Sequence, residues 1–136
     1  MGNSHGVIEF EGFRVIQRKQ IAEGGFGYVS LVEDDKGKSY AMKRVIVPLD
    51  DVERNHAAKW EQDVLKNLPC HPNIVQFYGA CQIEVTEKRQ RHFCTLMEFC
   101  NGNVWEMMVE AKNRNEMLTE AKVCLIFRDA CLAIHH

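Results

Sequence analysis

No run of apolar residues in this 136-residue chain is long enough to cross a membrane as a helix, and no secretory h-region follows Met1. Charge of one sign is not in excess either. Lys and Arg number 17 and Asp and Glu 19, a formal net charge of −2. That balance argues against a nucleic-acid or polyanion binder, which needs a basic surplus. Cys-x-x-Cys pairs are missing. The six cysteines (Cys70, Cys81, Cys94, Cys100, Cys124 and Cys131) are scattered along the chain. The pattern argues against a zinc site and a disulfide framework, and buried free thiols in a reducing cytosol are the simplest account. The length suffices for one compact domain with a real core.

Two phosphate-binding fingerprints are also absent. The chain has a glycine cluster, Gly24, Gly25 and Gly27, but no Gly-Lys-Ser/Thr follows it, as a P-loop requires. A dinucleotide fingerprint needs its glycines to open a helix. Here they lead into Tyr28-Val29-Ser30-Leu31-Val32, which is strand-like. Residues 21–43 therefore read as a strand, a glycine hairpin, a strand, a polar turn over 33–38 and a further strand. Glycines lack a Cβ and let backbone N–H groups approach a phosphate. Phe26, at the tip, is placed to shield such a phosphate from water. Residues two apart on a strand share a face, so Val29 goes with Leu31 and Ala41 with Lys43. The bland reading of the same pattern is a tight hairpin with a solvated lysine.

Before this stretch, residues 1–12 read as a flexible start and residues 10–21 as a first strand with Arg14, Arg18 and Lys19 exposed. Gly2 is the residue myristoylation needs, although Gly6 stands where Ser or Thr is usual. After it, Pro48 breaks the chain and Asp50 or Asp51 caps a helix running to about Leu68. Val52, His56, Trp60, Val64 and Leu68 recur every four residues, with Ala57, Glu61 and Leu65 beside them. Glu61 thus falls on the margin of the buried stripe, as an exposed acid or as a partner for a cation. Next come the turn His71-Pro72-Asn73-Ile74, a strand over 75–83, a solvated charged loop over 84–91 and a strand over 93–99. Two helices follow, one opened by Asn103 and running to Arg114, one capped by Thr119. Trp105, Met108 and Val109 are the apolar residues of the first. Val123, Ile126, Phe127, Ala130, Leu132 and Ile134 are those of the second. His135 and His136 read as helix-end residues.

Glu-Gly-Gly-Phe-Gly-Tyr-Val, Ala-Met-Lys-Arg, His-Pro-Asn-Ile-Val and Met-Glu-Phe-Cys together resemble the small lobe of the protein kinases. The likeness extends from about Phe13 to the end of the chain and is closest to the Numb-associated serine/threonine kinases, several of which are linked to clathrin-coated vesicle traffic. It implies an α+β fold: a five-stranded antiparallel sheet with one packed helix over residues 13–100, including a hinge, and two large-lobe helices over 101–136. It implies ATP as ligand, with magnesium in a complete domain. Ala22 stands at the first glycine position of the loop, a departure that implies a stiffer loop, while Gly24 and Gly27 hold the other two, with Gly25 and Phe26 between them. Val29 and Ala41 then enclose the adenine, Lys43 meets the α/β-phosphates and Glu61 holds Lys43. Met97 becomes the gatekeeper, and the backbone of Glu98 and Cys100 meets the adenine edge. At about 4 Å and an effective dielectric near 20, a Lys43–Glu61 pair gains on the order of 4 kcal/mol before desolvation.

The sequence departs from the family in one large respect. It contains no His-Arg-Asp, Asp-Phe-Gly or Ala-Pro-Glu, so the catalytic base and the magnesium ligands are not among its residues. The resemblance therefore implies the front portion of a kinase domain, cytoplasmic and vesicle-associated, and inactive alone. The reading from another class is a non-catalytic binding module that meets protein partners, or itself, through uncovered helices.

Overall fold

The computed structural model describes residues 6–25 and 27–135. The myristoylation reading at Gly2, Phe26 at the hairpin tip and His136 lie outside the described residues. The chain divides into two units, residues 1–69 with 76–99 and residues 70–75 with 100–136.

The first unit is an antiparallel sheet with one helix. Its strands are β1 (Val7–Phe10), β2 (Phe13–Gly24), β3 (Gly27–Asp34), β4 (Ser39–Pro48), β5 (Phe77–Val85) and β6 (Gln90–Glu98), and the helix α1 spans Val52–Asn67. The order across the sheet is β1-β2-β3-β4-β6-β5, six strands where the sequence pointed to five. The extra strand comes from residues expected to be a flexible start. Ile8 and Phe10 alternate inward, and Glu11–Gly12 close a hairpin that pairs Phe10 with Phe13. Gly12 makes that turn possible, with φ of 92°. β1 also touches β5, where Phe10 packs over Gly79. One face of the sheet thereby wraps a core of Ile8, Phe10, Val15, Val32, Tyr40, Met42, Cys94 and Leu96.

The other face carries α1. Asp51 caps the helix, its side chain accepting from Arg54 N at 3.1 Å, as the sequence indicated. The buried stripe, however, is not the expected one. Val52 is 76% exposed and Trp60 66%, and the buried helix residues are Ala58 and Gln62. A strict i, i+4 repeat advances about 40° around the helix at each step, so the line from Val52 to Leu68 spirals off any one face. Asn55, Ala58, Gln62 and Leu65, spaced by three and four, stay on a single face. Ala58 packs with Phe93 and Val47. Gln62 Nε2 donates to Cys94 O at 3.1 Å, a bond that hangs the helix on the sheet.

The charged loop expected over 84–91 is also shorter than that. β5 and β6 continue through it, pairing Glu84 with Arg91, whose side chains form an ion pair at 3.1 Å. Arg91 Nη1 further donates to Asn55 Oδ1 of α1 at 3.3 Å. Only Thr86–Lys88, a single 3-10 turn, and Arg89, with φ of 51°, remain to close the hairpin.

Gly27 opens β3 opposite Gly24 and Val45. A Cβ placed on it would sit 1.9 Å from the carbonyl oxygen of Arg44. The β3–β4 pairing therefore requires glycine here whether or not a ligand is bound. Around Gly25 the same test finds nothing within 4 Å. Gly27→Ala is expected to cost roughly 1–3 kcal/mol, because backbone must move to admit it, and Gly25→Ala to leave the thermal midpoint close to that of the parent. Equal melting curves for the two variants would contradict this account.

The second unit holds the turn at His71, where Asn73 N donates to His71 Nδ1 at 3.0 Å, and the helices α2 (Val104–Asn113) and α3 (Glu120–His135). Asn103 and Thr119 cap them as expected, accepting from Glu106 N at 2.8 Å and Lys122 N at 3.2 Å. Ala111 is the buried residue of α2, and α3 buries none. Trp105 (71% exposed) and Phe127 (70%) face an apolar groove of about 850 Å³. No helix among the described residues is long and apolar enough to cross a membrane.

Candidate nucleotide site

β-sheet register decides which of the candidate residues meet. Ala22 pairs with Val29, Val29 with Lys43, and Lys43 with Thr95. One row along, Leu31 pairs with Ala41 and Ala41 with Met97. Directly opposed residues share a face. Ala22, Val29, Ala41, Lys43 and Met97 therefore project from one side of the sheet, beside the hairpin that joins Gly24 to Gly27. α1 packs on this same side, and Glu61 meets the lysine: Lys43 Nζ donates to Glu61 Oε1 at 2.6 Å. The side chains of the pair are 24% and 46% exposed. Solvent screening at that exposure reduces the sequence-based figure to about 1 kcal/mol or less, so the pair positions the amine more than it holds the fold.

Met97 and Glu98 end β6. Glu98 is tied at both ends to the start of the neighbouring segment: its N–H donates to Gln76 O at 2.9 Å and its Oε2 accepts from Gln76 N at 3.1 Å. With that donor committed, an adenine contact at Glu98 falls to its carbonyl. Cys100 belongs to the second unit and is exposed.

Two residues that sequence reasoning passed over shape this site. Thr95, opposite Lys43, is buried and lies 3.4 Å from Gln62 Nε2. Gln62 itself, one residue from Glu61, fixes where the acid stands. The only sequence signal for it was a polar residue spaced three and four from Ala58 and Leu65. A buried cation lies on the opposite face. Arg44, between Tyr28 and Cys94 in register, is 8% exposed and stacks on the Tyr28 ring at 5.6 Å. Its Nη1 donates to His92 Nδ1 at 3.1 Å, which leaves the His92 proton on Nε2. Burial, helped by the charges of Arg44 and Lys88, holds His92 below its ordinary range and keeps it neutral.

The chemistry of this face suits a nucleotide: small and β-branched residues for a flat base, an oriented ammonium for phosphate oxygens, and open space over Gly25. Among the described residues no group of three His, Cys, Asp or Glu stands together to hold a metal ion.

The protein kinase domain family profile matches residues 15–136. A protein of Dictyostelium discoideum described as a probable serine/threonine-protein kinase is 38% identical over 132 residues, 95% of this chain and 16% of that protein. The serine/threonine-protein kinase sel-5 of Caenorhabditis elegans is 33% identical over 132 residues, 94% of this chain and 12% of its own. Human serine/threonine-protein kinase 16 is 29% identical over 129 residues, 94% of this chain and 41% of its own. The chain thus spans less than half the length of each of these relatives. With its paired lysine and acid, its glycine hairpin and this match over nearly all of its length, the chain belongs to the protein kinase domain family.

Proposed function

We propose that this chain carries the adenine-nucleotide-binding part of a serine/threonine protein kinase, whose complete domain passes the terminal phosphoryl group of ATP to a protein hydroxyl. The observation that carries the reading is the 2.6 Å contact of Lys43 with Glu61 on the face that also bears Ala22, Val29 and Ala41. Lys43 donates to the α- and β-phosphate oxygens while Glu61 keeps its amine in place. Gly24, Gly25 and Gly27 bring backbone N–H groups to the phosphates. Val29 and Ala41 enclose the base, Met97 limits the depth of the pocket, and Glu98 and Cys100 offer backbone to the adenine edge. Magnesium, when bound in a complete domain, neutralises phosphate charge through groups outside this sequence.

The Gly-Gly-Phe-Gly loop, the Met-Glu-Phe-Cys segment and Ile-Phe-Arg-Asp-Ala-Cys support a finer placement in the Numb-associated group, with the cytoplasmic and vesicle-associated setting of its members. The test is titration of the purified chain with ATP, with and without magnesium, followed by labelled ATP and a generic protein acceptor. Weak, nearly magnesium-independent binding and no transfer are expected. Transfer above a Lys43→Ala control would show that another acid supplies the base.

A second reading, a module that works through protein contacts, is favoured by the exposed Trp105 and Phe127 of the second unit. It calls for self-association through that groove, which sedimentation over a concentration series detects. A single monomeric species at all concentrations would count against it.

A further inference from the structure

We propose that Cys81 and Cys94 are a redox-active dithiol which hydrogen peroxide closes to a disulfide across β5 and β6, and that α1 senses the closure. The two residues are direct register partners in the antiparallel pair. Such partners stand with Cα atoms about 4.5–5.5 Å apart, inside the range of about 4.4–6.8 Å that a disulfide spans. Both side chains belong to one packed cluster, Cys94 within it and Cys81 against it. The other four cysteines are exposed and lie outside the strands.

The surroundings favour reaction. Arg44 is the next residue in the same row, opposite Cys94 on β4. It is buried, its Nε has no hydrogen-bond partner, and among the described residues no carboxylate forms an ion pair with it. A sheltered guanidinium of this kind lowers the cost of a thiolate beside it. Interaction with Cys94, reinforced by burial, pushes the Cys81 thiol up. The same interaction draws Cys94 down, with burial opposing it and Arg44 adding to the effect. Cys94 is fully buried, whereas Cys81 is partly exposed.

The chemistry balances with peroxide as the two-electron oxidant. The Cys81 sulfur attacks one peroxide oxygen as its thiol proton passes to solvent. The O–O bond breaks, hydroxide leaves and is protonated by solvent, and Cys81 becomes a sulfenic acid. The Cys94 sulfur then attacks the Cys81 sulfur, the S–O bond breaks, and the hydroxyl departs with the Cys94 proton as water. Two thiols and one peroxide give one disulfide and two waters.

Closure is felt by α1 because the helix hangs on these two residues. Gln62 Nε2 donates to Cys94 O at 3.1 Å and lies 3.4 Å from Cys81 O. Cross-strand Cβ atoms about 4.5–5.5 Å apart must draw in to about 3.8 Å for the bond to form. The carbonyls that hold Gln62 move with them, and Glu61 is the adjacent residue.

The experiment treats the native chain with equimolar hydrogen peroxide, alkylates the remaining thiols, and maps peptides by mass spectrometry. Hydrogen exchange across α1 is followed in parallel. Neither readout depends on nucleotide binding, so the outcome separates from that of the proposed function. A peptide joining Cys81 to Cys94, two hydrogens lighter than the reduced pair and reversed by dithiothreitol, is expected. Several-fold faster exchange in α1 should accompany it. Cys81→Ala and Cys94→Ala should each lose both effects, and if either variant does not fold the native chain still decides. Disulfides confined to Cys70, Cys100, Cys124 or Cys131 would overturn the dithiol. A Cys81–Cys94 link with unchanged α1 exchange would overturn the sensing.

Discussion

Phe93→Ala is expected to cost about 3–5 kcal/mol and to leave the chain largely unfolded at physiological temperature. Phe93 is 2% exposed and packs with Val47 and Ala58, with Val45 at the edge. That small cluster is the apolar seam between α1 and the sheet. The rest of the helix contact described above is polar: Gln62 on the Cys94 carbonyl, the Arg91–Asn55 hydrogen bond and the half-exposed Lys43–Glu61 pair, worth about 1 kcal/mol each. A domain's whole stability is about 5–15 kcal/mol, so emptying this seam removes a large share of it. Phe93→Leu keeps most of the volume and should cost less than about 1.5 kcal/mol. Urea melts of the two variants check the expectation. An alanine variant as stable as the leucine one would mean that α1 is held by something other than this seam.

The separation between what was legible in the sequence and what was not follows the range of each interaction. The face shared by Ala41 and Lys43 was legible because strand alternation is local and admits no drift. Helix ends were legible because caps act within three residues, as Asp51, Asn103 and Thr119 show. The buried side of α1 was not, because five apolar residues at i+4 spacing form a convincing line that a real helix winds around its axis. What selects Ala58 and Gln62 instead is the opposing surface, Phe93 and the carbonyl of Cys94, which local pattern does not contain. β1 was missed because four residues cannot announce a strand without the partner they pair with. The Cys81–Cys94 row was hidden by a single misjudged loop. Once the hairpin is closed at Thr86–Arg89, counting back from the Val85–Gln90 pair places the two cysteines opposite each other.

Of the candidate site, the Lys43–Glu61 contact was legible through the kinase resemblance, because the helix stripe left Glu61 either exposed or paired, while its exposure was not legible. That exposure shapes the remaining expectation. Lys43→Ala should weaken ATP binding by at least about tenfold, the equivalent of losing a charge-assisted hydrogen bond of roughly 1.5–3 kcal/mol. Its effect on stability should stay within about 1 kcal/mol, because Glu61 is 46% exposed and is left hydrated rather than stranded. Glu61→Gln should fall between, since the amide still accepts a hydrogen bond from Lys43 but no longer neutralises it. Lys38→Ala is the control for charge alone. Lys38 sits outside this face, where its Nζ donates to Tyr78 Oη at 3.3 Å and lies 4.7 Å from the Tyr78 ring centroid. Calorimetric titration of the four chains with ATP, paired with their thermal midpoints, separates binding from folding. Equal losses for Lys43→Ala and Lys38→Ala would show that ATP responds only to net charge, and the assignment of Lys43 to the phosphates would fall.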